Sequence, residues 1–210
     1  MPDAGISSNP SVAEPGSACC AGFVGRTLEL DYVFEQIHKR QCVSITGAHG
    51  IGKTTFLRRI MEEGAQNSSV SSGYNKLFLY LQADSSLVST AAFVQRVLEL
   101  IRERRPSAEY RDRGSPQRCL LDCLDGLSPE ELVLLLDDFD ASVGFVGDTF
   151  GFLSFLRLVA SDRDVSIVTA SIVELHKCCD SRGPSSPFAN IFTTVELQPL
   201  MDVEFDAFSS

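Results

Sequence analysis

The sequence lacks any apolar run close to the roughly 20 residues that a bilayer-crossing helix needs. Residues 1–21 have neither the basic start nor the apolar stretch of a secretory signal. Their content of Pro, Gly, Ser and Ala is instead typical of a disordered leader. These absences exclude a membrane span and a signal peptide, and they predict a soluble, cytoplasmic protein.

Basic residues are scarce relative to acidic ones. The chain has 18 Lys and Arg against 28 Asp and Glu, and its formal net charge is −10. Because nucleic acids are bound mainly through clustered Lys and Arg, this balance argues against a nucleic-acid surface. The arginines between residues 102 and 118 are a local exception, but acidic residues are interleaved with them, which is typical of a solvated helix end and loop.

Cysteine pairs at metal-binding or redox spacing are also missing. The seven cysteines include no CxxC pair, and their odd number in a chain of 210 residues argues against a disulfide framework. Small buried thiols in a reducing cytosol fit this pattern.

The length suits one globular domain, and the apolar patterning predicts strands that alternate with helices. Strands are predicted at residues 42–46, 76–82, 132–136, 165–170 and 193–197, and helices at 26–39, 53–64, 91–104, 119–124 and 150–160. Gly64 is predicted to end the second of these helices as a C-terminal cap. Such alternation implies right-handed crossovers. The sequence therefore predicts a three-layer α/β/α fold with a five-stranded, mainly parallel sheet.

A glycine-rich motif indicates the chemistry most clearly. Residues 47–54, GAHGIGKT, fit the pattern G-x-x-x-x-G-K-[ST] between a predicted strand and a predicted helix, the context that a P-loop requires. In such a loop, backbone N–H groups surround phosphate oxygens and the helix N-terminus adds its positive dipole end. The motif predicts a nucleoside triphosphate site. ATP is favoured because no guanine-reading Asn/Thr-Lys-x-Asp segment occurs.

The predicted nucleotide contacts in this motif are Gly47, Gly50, Ile51, Gly52, Lys53, Thr54 and Thr55. Lys53 should reach the β and γ phosphates, so it is also a predicted catalytic residue. The Thr54 hydroxyl should ligate Mg²⁺, and Thr55 should donate to the α phosphate.

Two acidic residues follow the apolar run at residues 132–136, which is typical of a strand covered on both faces. Ligands of open parallel sheets bind at the carboxyl edge, where this strand delivers Asp137 and Asp138. We assign Asp137 to the Mg²⁺ ion, and Asp138 to the attacking water as a catalytic residue.

Five blocks of the sequence together resemble a known family. They are FVGRTLEL (23–30), GAHGIGKTT (47–55), LLLDDFD (134–140), VTAS (168–171) and SPFANIFTTVELQPL (186–200). Together they resemble the core of STAND-type P-loop NTPases of the AAA+ superclass, close to bacterial and archaeal members. The resemblance implies an ATPase core over residues 22–200. Residues 201–210 would begin a lid helix, with the lid domain absent or truncated.

The resemblance also implies further site residues. Arg26 and Glu29 match a Gly-Arg-x-x-Glu box that lines the adenine end of the pocket. Ser171, favoured over Thr169, matches a polar sensor of the γ-phosphate at the end of the fourth strand. Arg182 is roughly where related rings carry an arginine finger, although an exposed loop arginine is the competing interpretation.

The family resemblance predicts a regulatory switch, in which ATP binding favours an assembled state and slow hydrolysis resets it. Slow turnover is expected because Asp138 stands where Glu is commoner, and its shorter side chain lies further from the water. Two alternatives stay open: a non-hydrolysing ATP-binding interaction module and a replication-initiator-like AAA+ ATPase. The expected partners are the nucleotide and protein subunits or further copies of the chain, with no membrane and no nucleic acid for this segment.

Overall fold

The computed structural model describes residues 25–70, 75–106, 114–127, 131–163, 165–180 and 187–199. The predicted leader, the predicted lid helix and Arg182 lie outside these residues. The elements in chain order are α1 (Thr27–His38), β1 (Cys42–Thr46), α2 (Lys53–Val70), β2 (Lys76–Gln82), α3 (Thr90–Arg104), α4 (Pro116–Leu127), β3 (Glu131–Asp137), α5 (Phe139–Phe145), α6 (Thr149–Asp162), β4 (Ser166–Ser171), α7 (Leu175–Asp180), a 3-10 helix (Pro187–Ile191) and β5 (Phe192–Glu196). Within the described ranges, no helix is both long and apolar enough to cross a membrane.

The five strands form one sheet in the order β2-β3-β4-β1-β5. All four strand pairings are parallel, so the sheet is parallel throughout rather than mainly parallel. Apolar residues of α1 and α2 pack on one face of the sheet, and those of α3 to α7 pack on the other. The predicted three-layer α/β/α fold is confirmed, with β4 between β1 and β3.

Gly64 does not end α2, contrary to the prediction, because this helix continues to Val70. Gly64 is buried where α2 packs against β2. A Cβ atom at this position would lie 2.4 Å from the nearest atom of the Phe78 ring. The glycine is therefore explained by close packing between helix and sheet, and not by a left-handed helix cap.

Gly64→Ala is expected to lower the unfolding temperature, although alanine is the better helix former. The added methyl group has to displace Phe78, and overpacking of this kind costs about 1–3 kcal/mol. Gly126→Ala, at an exposed position of α4, is the matched control and should leave the midpoint unchanged or slightly higher. Thermal unfolding measures both, and a higher midpoint for Gly64→Ala would contradict the packing explanation.

Three short elements were not predicted from the sequence: α5, α7 and the 3-10 helix. The chain enters α5 through Asp138, whose backbone is left-handed with φ 51°, a conformation that Asp tolerates better than most residues. Phe139 then stacks on Phe188 of the 3-10 helix, with ring centroids 5.8 Å apart. The residue that follows the two aspartates is thus packed against the 3-10 helix.

The described cysteines are all buried, as predicted for small buried thiols. Burial raises the pKa of the Cys42 and Cys178 thiols to about 11. Because the thiolate is the reactive form, these thiols are poor nucleophiles at neutral pH.

Candidate functional site

The loop between β1 and α2 adopts backbone angles that favour glycine. Gly50 and Gly52 have φ angles of 78° and 98°, in the left-handed region. At Gly47, a Cβ atom would lie 3.0 Å from the carbonyl oxygen of Leu197. That approach is fixed because the Leu197 amide donates to the Thr46 carbonyl at 2.8 Å. Each glycine of the predicted P-loop is therefore explained, either by its backbone conformation or by a close packing contact.

Lys53 begins α2 and is only 8% exposed. Its Nζ donates to the carbonyl oxygens of Gly47 and Ala48 at 2.8 and 3.0 Å. These partners are neutral, and Lys53 forms no ion pair with a carboxylate in the described part of the chain. Thr54 and Thr55 follow in the first turn of α2, where Thr54 is half-buried and Thr55 is exposed. The arrangement leaves a buried cation at a helix N-terminus, which favours an anion there.

Arg26 connects the P-loop to the segment after β5. Its Nη2 donates to the carbonyl oxygens of Ile51 at 2.9 Å and Gln198 at 3.1 Å. The residue is 6% exposed, and its Nη1 is buried without a hydrogen-bond partner among the described residues. An unpaired buried donor is costly, so this atom is a candidate donor to a ligand. Glu29 is half-buried in the first turn of α1.

Asp137 ends β3 and is 1% exposed. Its Oδ2 accepts a hydrogen bond from the Tyr80 hydroxyl at 2.7 Å, and its Oδ1 accepts one from the Asp138 backbone at 3.0 Å. No described Lys, Arg or His forms an ion pair with this carboxylate. Since a buried charge without a counter-charge is unfavourable, and since Mg²⁺ prefers hard oxygen ligands, the Asp137 carboxylate fits a magnesium ion.

Asp138 lies one residue further, half-buried, between β3 and α5. Its Oδ2 accepts a hydrogen bond from the side-chain amide of Gln82 at 3.0 Å. The carboxylate is therefore at the edge of the sheet and accessible from solvent. Its side chain already has a partner from the neighbouring strand.

Ser171 is the last residue of β4 and pairs in register with Thr46, the residue before the P-loop. It is buried, and its hydroxyl donates to the Val173 carbonyl at 2.6 Å. Thr169 lies two residues deeper in the strand, and its buried hydroxyl has no hydrogen-bond partner in the described part of the chain. Ser171 is thus the one of the two at the edge of the sheet.

The strand order brings these residues to one edge of the sheet. Because β4 separates β1 from β3, Ser171 lies between the P-loop and the two aspartates. A cavity of about 340 Å³ opens between the start of the P-loop and the ends of β4 and β5. Lys53, Asp137 and Ser171 are not among the residues that line this cavity. The strand order nevertheless brings this buried cation, buried carboxylate and hydroxyl to the same edge of the sheet.

A family model described as "AAA domain" matches residues 36–178 of the sequence. The chain belongs to the AAA domain family. The match includes the P-loop, both aspartates and Ser171. No curated protein matches the chain in sequence.

Solved structures share the fold of this AAA domain. The Walker-type ATPase PABY2304 of Pyrococcus abyssi is similar with a TM-score of 0.60 and 12% identity, over 87% of this chain and 55% of that one. ORC1 of Aeropyrum pernix, in complex with DNA, is similar with a TM-score of 0.64 and 15% identity, over 90% of this chain and 49% of that one. Cdc6p of Pyrobaculum aerophilum is similar with a TM-score of 0.59 and 16% identity, over 90% of this chain and 51% of that one. This chain thus spans about half the length of those proteins, and the likeness shows the fold alone.

Sequence reasoning missed two residues of the AAA domain's site, Tyr80 and Gln82. Both lie on β2, and the parallel register pairs Gln82 with Asp137. Burial, followed by the hydrogen bond to Asp137, raises the pKa of Tyr80, while Arg58 opposes that shift. The phenol therefore stays a donor at neutral pH. The sequence did offer one signal for them: both are polar residues at the carboxyl end of a largely apolar strand, where ligands of parallel sheets bind.

Proposed function

We propose that this AAA domain binds ATP with Mg²⁺ at the carboxyl edge of its sheet and acts as a slow regulatory ATPase. The observation that carries the proposal is that two buried charged groups of opposite sign, Lys53 and Asp137, have hydrogen-bond partners but form no ion pair among the described residues. A triphosphate would compensate the lysine, and a divalent cation would compensate the aspartate. Mg·ATP supplies both charges in one ligand.

The roles of the nucleotide-binding residues follow from their positions. The backbone N–H groups of the P-loop would surround the phosphates, and Lys53 would exchange its carbonyl partners for oxygens of the β and γ phosphates. Thr54 and Asp137 would hold Mg²⁺, whose charge neutralises phosphate oxygens. Thr55 would donate to the α phosphate, and Arg26 would line the base end of the site.

Hydrolysis requires a water in line with the γ-phosphorus. Asp138 would orient this water and accept its proton as the new P–O bond forms and the β–γ bridging bond breaks. Ser171 would exchange its bond to Val173 for a γ-phosphate oxygen, so that the end of β4 registers whether the phosphate is present. Slow turnover would let the ATP-bound form persist as the assembled state of a STAND-type switch with protein partners.

A non-hydrolysing ATP-binding module is the second candidate. It is favoured by the hydrogen bond between Asp138 and Gln82, which occupies one oxygen of the proposed base. If that bond persists with ATP bound, the carboxylate is not free to accept a proton from water. ATP would then act as a structural ligand of residues 22–200.

Phosphate release and assembly, measured on the same samples, distinguish the two candidates. The protein is incubated with Mg·ATP, with Mg·GTP and with a non-hydrolysable ATP analogue, and its mass in solution is determined by light scattering. The switch predicts slow phosphate release from ATP and a larger assembly with the analogue. ATP binding without any phosphate release would favour the non-hydrolysing module, and a preference for GTP would contradict the ATP assignment.

A further inference from the structure

A chain of contacts reaches Asp137 from the P-loop helix α2. The Tyr80 hydroxyl donates to Asp137 Oδ2 at 2.7 Å. The guanidinium carbon of Arg58 lies 5.9 Å from the centroid of the Tyr80 ring, within cation–π range. Arg58 follows Thr54 by four residues, which places the two residues on the same face of α2. The contacts therefore link α2, which carries the proposed magnesium ligand Thr54, with the other proposed ligand, Asp137.

The Asp137 carboxylate is oriented by two different donors. Oδ1 accepts from the Asp138 backbone amide and Oδ2 accepts from Tyr80. Only the first donor is a neighbour of Asp137 in the sequence. The second comes from β2, in the layer of residues that packs against α2. Because each oxygen accepts one hydrogen bond, each keeps a lone pair for a metal ion or its water, and rotation of the carboxylate is restricted.

We propose that Tyr80 is a positioning residue for Mg²⁺: its hydroxyl fixes the Asp137 carboxylate, and Arg58 holds the Tyr80 ring against the P-loop helix. This inference rests on the proposed Mg·ATP site. Removal of a group that orients a metal-ligating side chain commonly lowers the metal affinity by about 10- to 100-fold. Tyr80 should therefore act on the metal dependence of nucleotide binding and not on the nucleotide contacts themselves.

Tyr80→Phe tests the inference because it removes only the hydroxyl. Binding of ATP is measured by its stabilisation of the full chain against thermal unfolding, across a series of Mg²⁺ concentrations and in EDTA. We expect the half-saturating Mg²⁺ concentration to rise about 10-fold, while metal-free ATP binding is unchanged. Tyr32→Phe, at a partly exposed tyrosine of α1, is the control and should match the wild type.

Arg58→Gln gives a second measurement of the same contacts. We expect a shift in the same direction, about 2- to 5-fold, because a partly exposed cation–π contact is weak. Arg157→Gln, at an exposed position of α6, is its control.

Two results would overturn the inference without touching the proposed function. One is an unchanged Mg²⁺ dependence in Tyr80→Phe, and the other is an equal loss of binding with and without Mg²⁺. The latter would mean that Tyr80 supports only the fold. A wild-type chain that binds no ATP at any Mg²⁺ concentration would instead contradict the proposed function, and the inference with it.

Discussion

Lys53→Ala is expected to abolish ATP binding. The Lys53 ammonium is buried at the N-terminus of α2 and has only carbonyl partners among the described residues, so a triphosphate is the counter-charge that its position favours. Loss of a buried charged partner typically weakens binding by about 100-fold or more. The stabilisation of the chain by Mg·ATP against thermal unfolding should therefore disappear in this variant.

The control for this variant is Lys39→Ala. Lys39 lies at the end of α1 with its side chain 56% exposed and ion-paired to Glu35, and such surface pairs contribute little. Each variant is compared with its own ligand-free midpoint, because Lys53 also holds the loop carbonyls. Equal stabilisation by Mg·ATP in Lys53→Ala and in the wild type would rule out the assigned role of Lys53.

Asp138→Asn is expected to keep ATP binding and to reduce phosphate release by about 100-fold or more, the usual contribution of a positioned general base. Asparagine has nearly the same size and retains an acceptor for Gln82, but its amide cannot take a proton from water. Phosphate release at saturating Mg·ATP, together with thermal stabilisation, separates catalysis from binding.

Asp162→Asn, at an exposed aspartate of α6, is the control for removing one negative charge. It should leave phosphate release unchanged. If Asp138→Asn and Lys53→Ala lose binding equally, the division of roles between the two residues is refuted. If Asp138→Asn hydrolyses ATP at the wild-type rate, another group activates the water.

Much of the fold could be predicted because local patterns coincide with structural boundaries. The strands at residues 42–46 and 76–82 have the predicted ends, since apolar runs there are bounded by glycine-rich or polar segments. The P-loop and the acidic strand could be recognised because phosphate binding and carboxylate delivery constrain residue types at fixed spacing. The sheet order places β4 between the P-loop strand and the acidic strand.

Other features depend on contacts between distant residues and could not be predicted. The sequence predicted Gly64 to be a helix end, but a glycine is needed there because the Phe78 ring of β2 leaves no room for a side chain. The bonds from Tyr80 and Gln82 to the two aspartates join residues 57 and 56 positions apart. They require the register of two strands, and a strand that is buried on both faces has no alternating pattern from which that register could be read. The left-handed backbone of Asp138, the residue before α5, likewise has no signal in residue patterning.

Thermal unfolding of the purified chain with Mg²⁺ alone and with Mg·ATP tests the central claim most directly. A ligand at 100 times its dissociation constant adds about 2.7 kcal/mol to the free energy of unfolding. For a domain of this size, we therefore predict a rise in the midpoint of roughly 5–10 °C. A cooperative unfolding transition whose midpoint does not move at millimolar Mg·ATP would contradict the proposal that this AAA domain binds ATP.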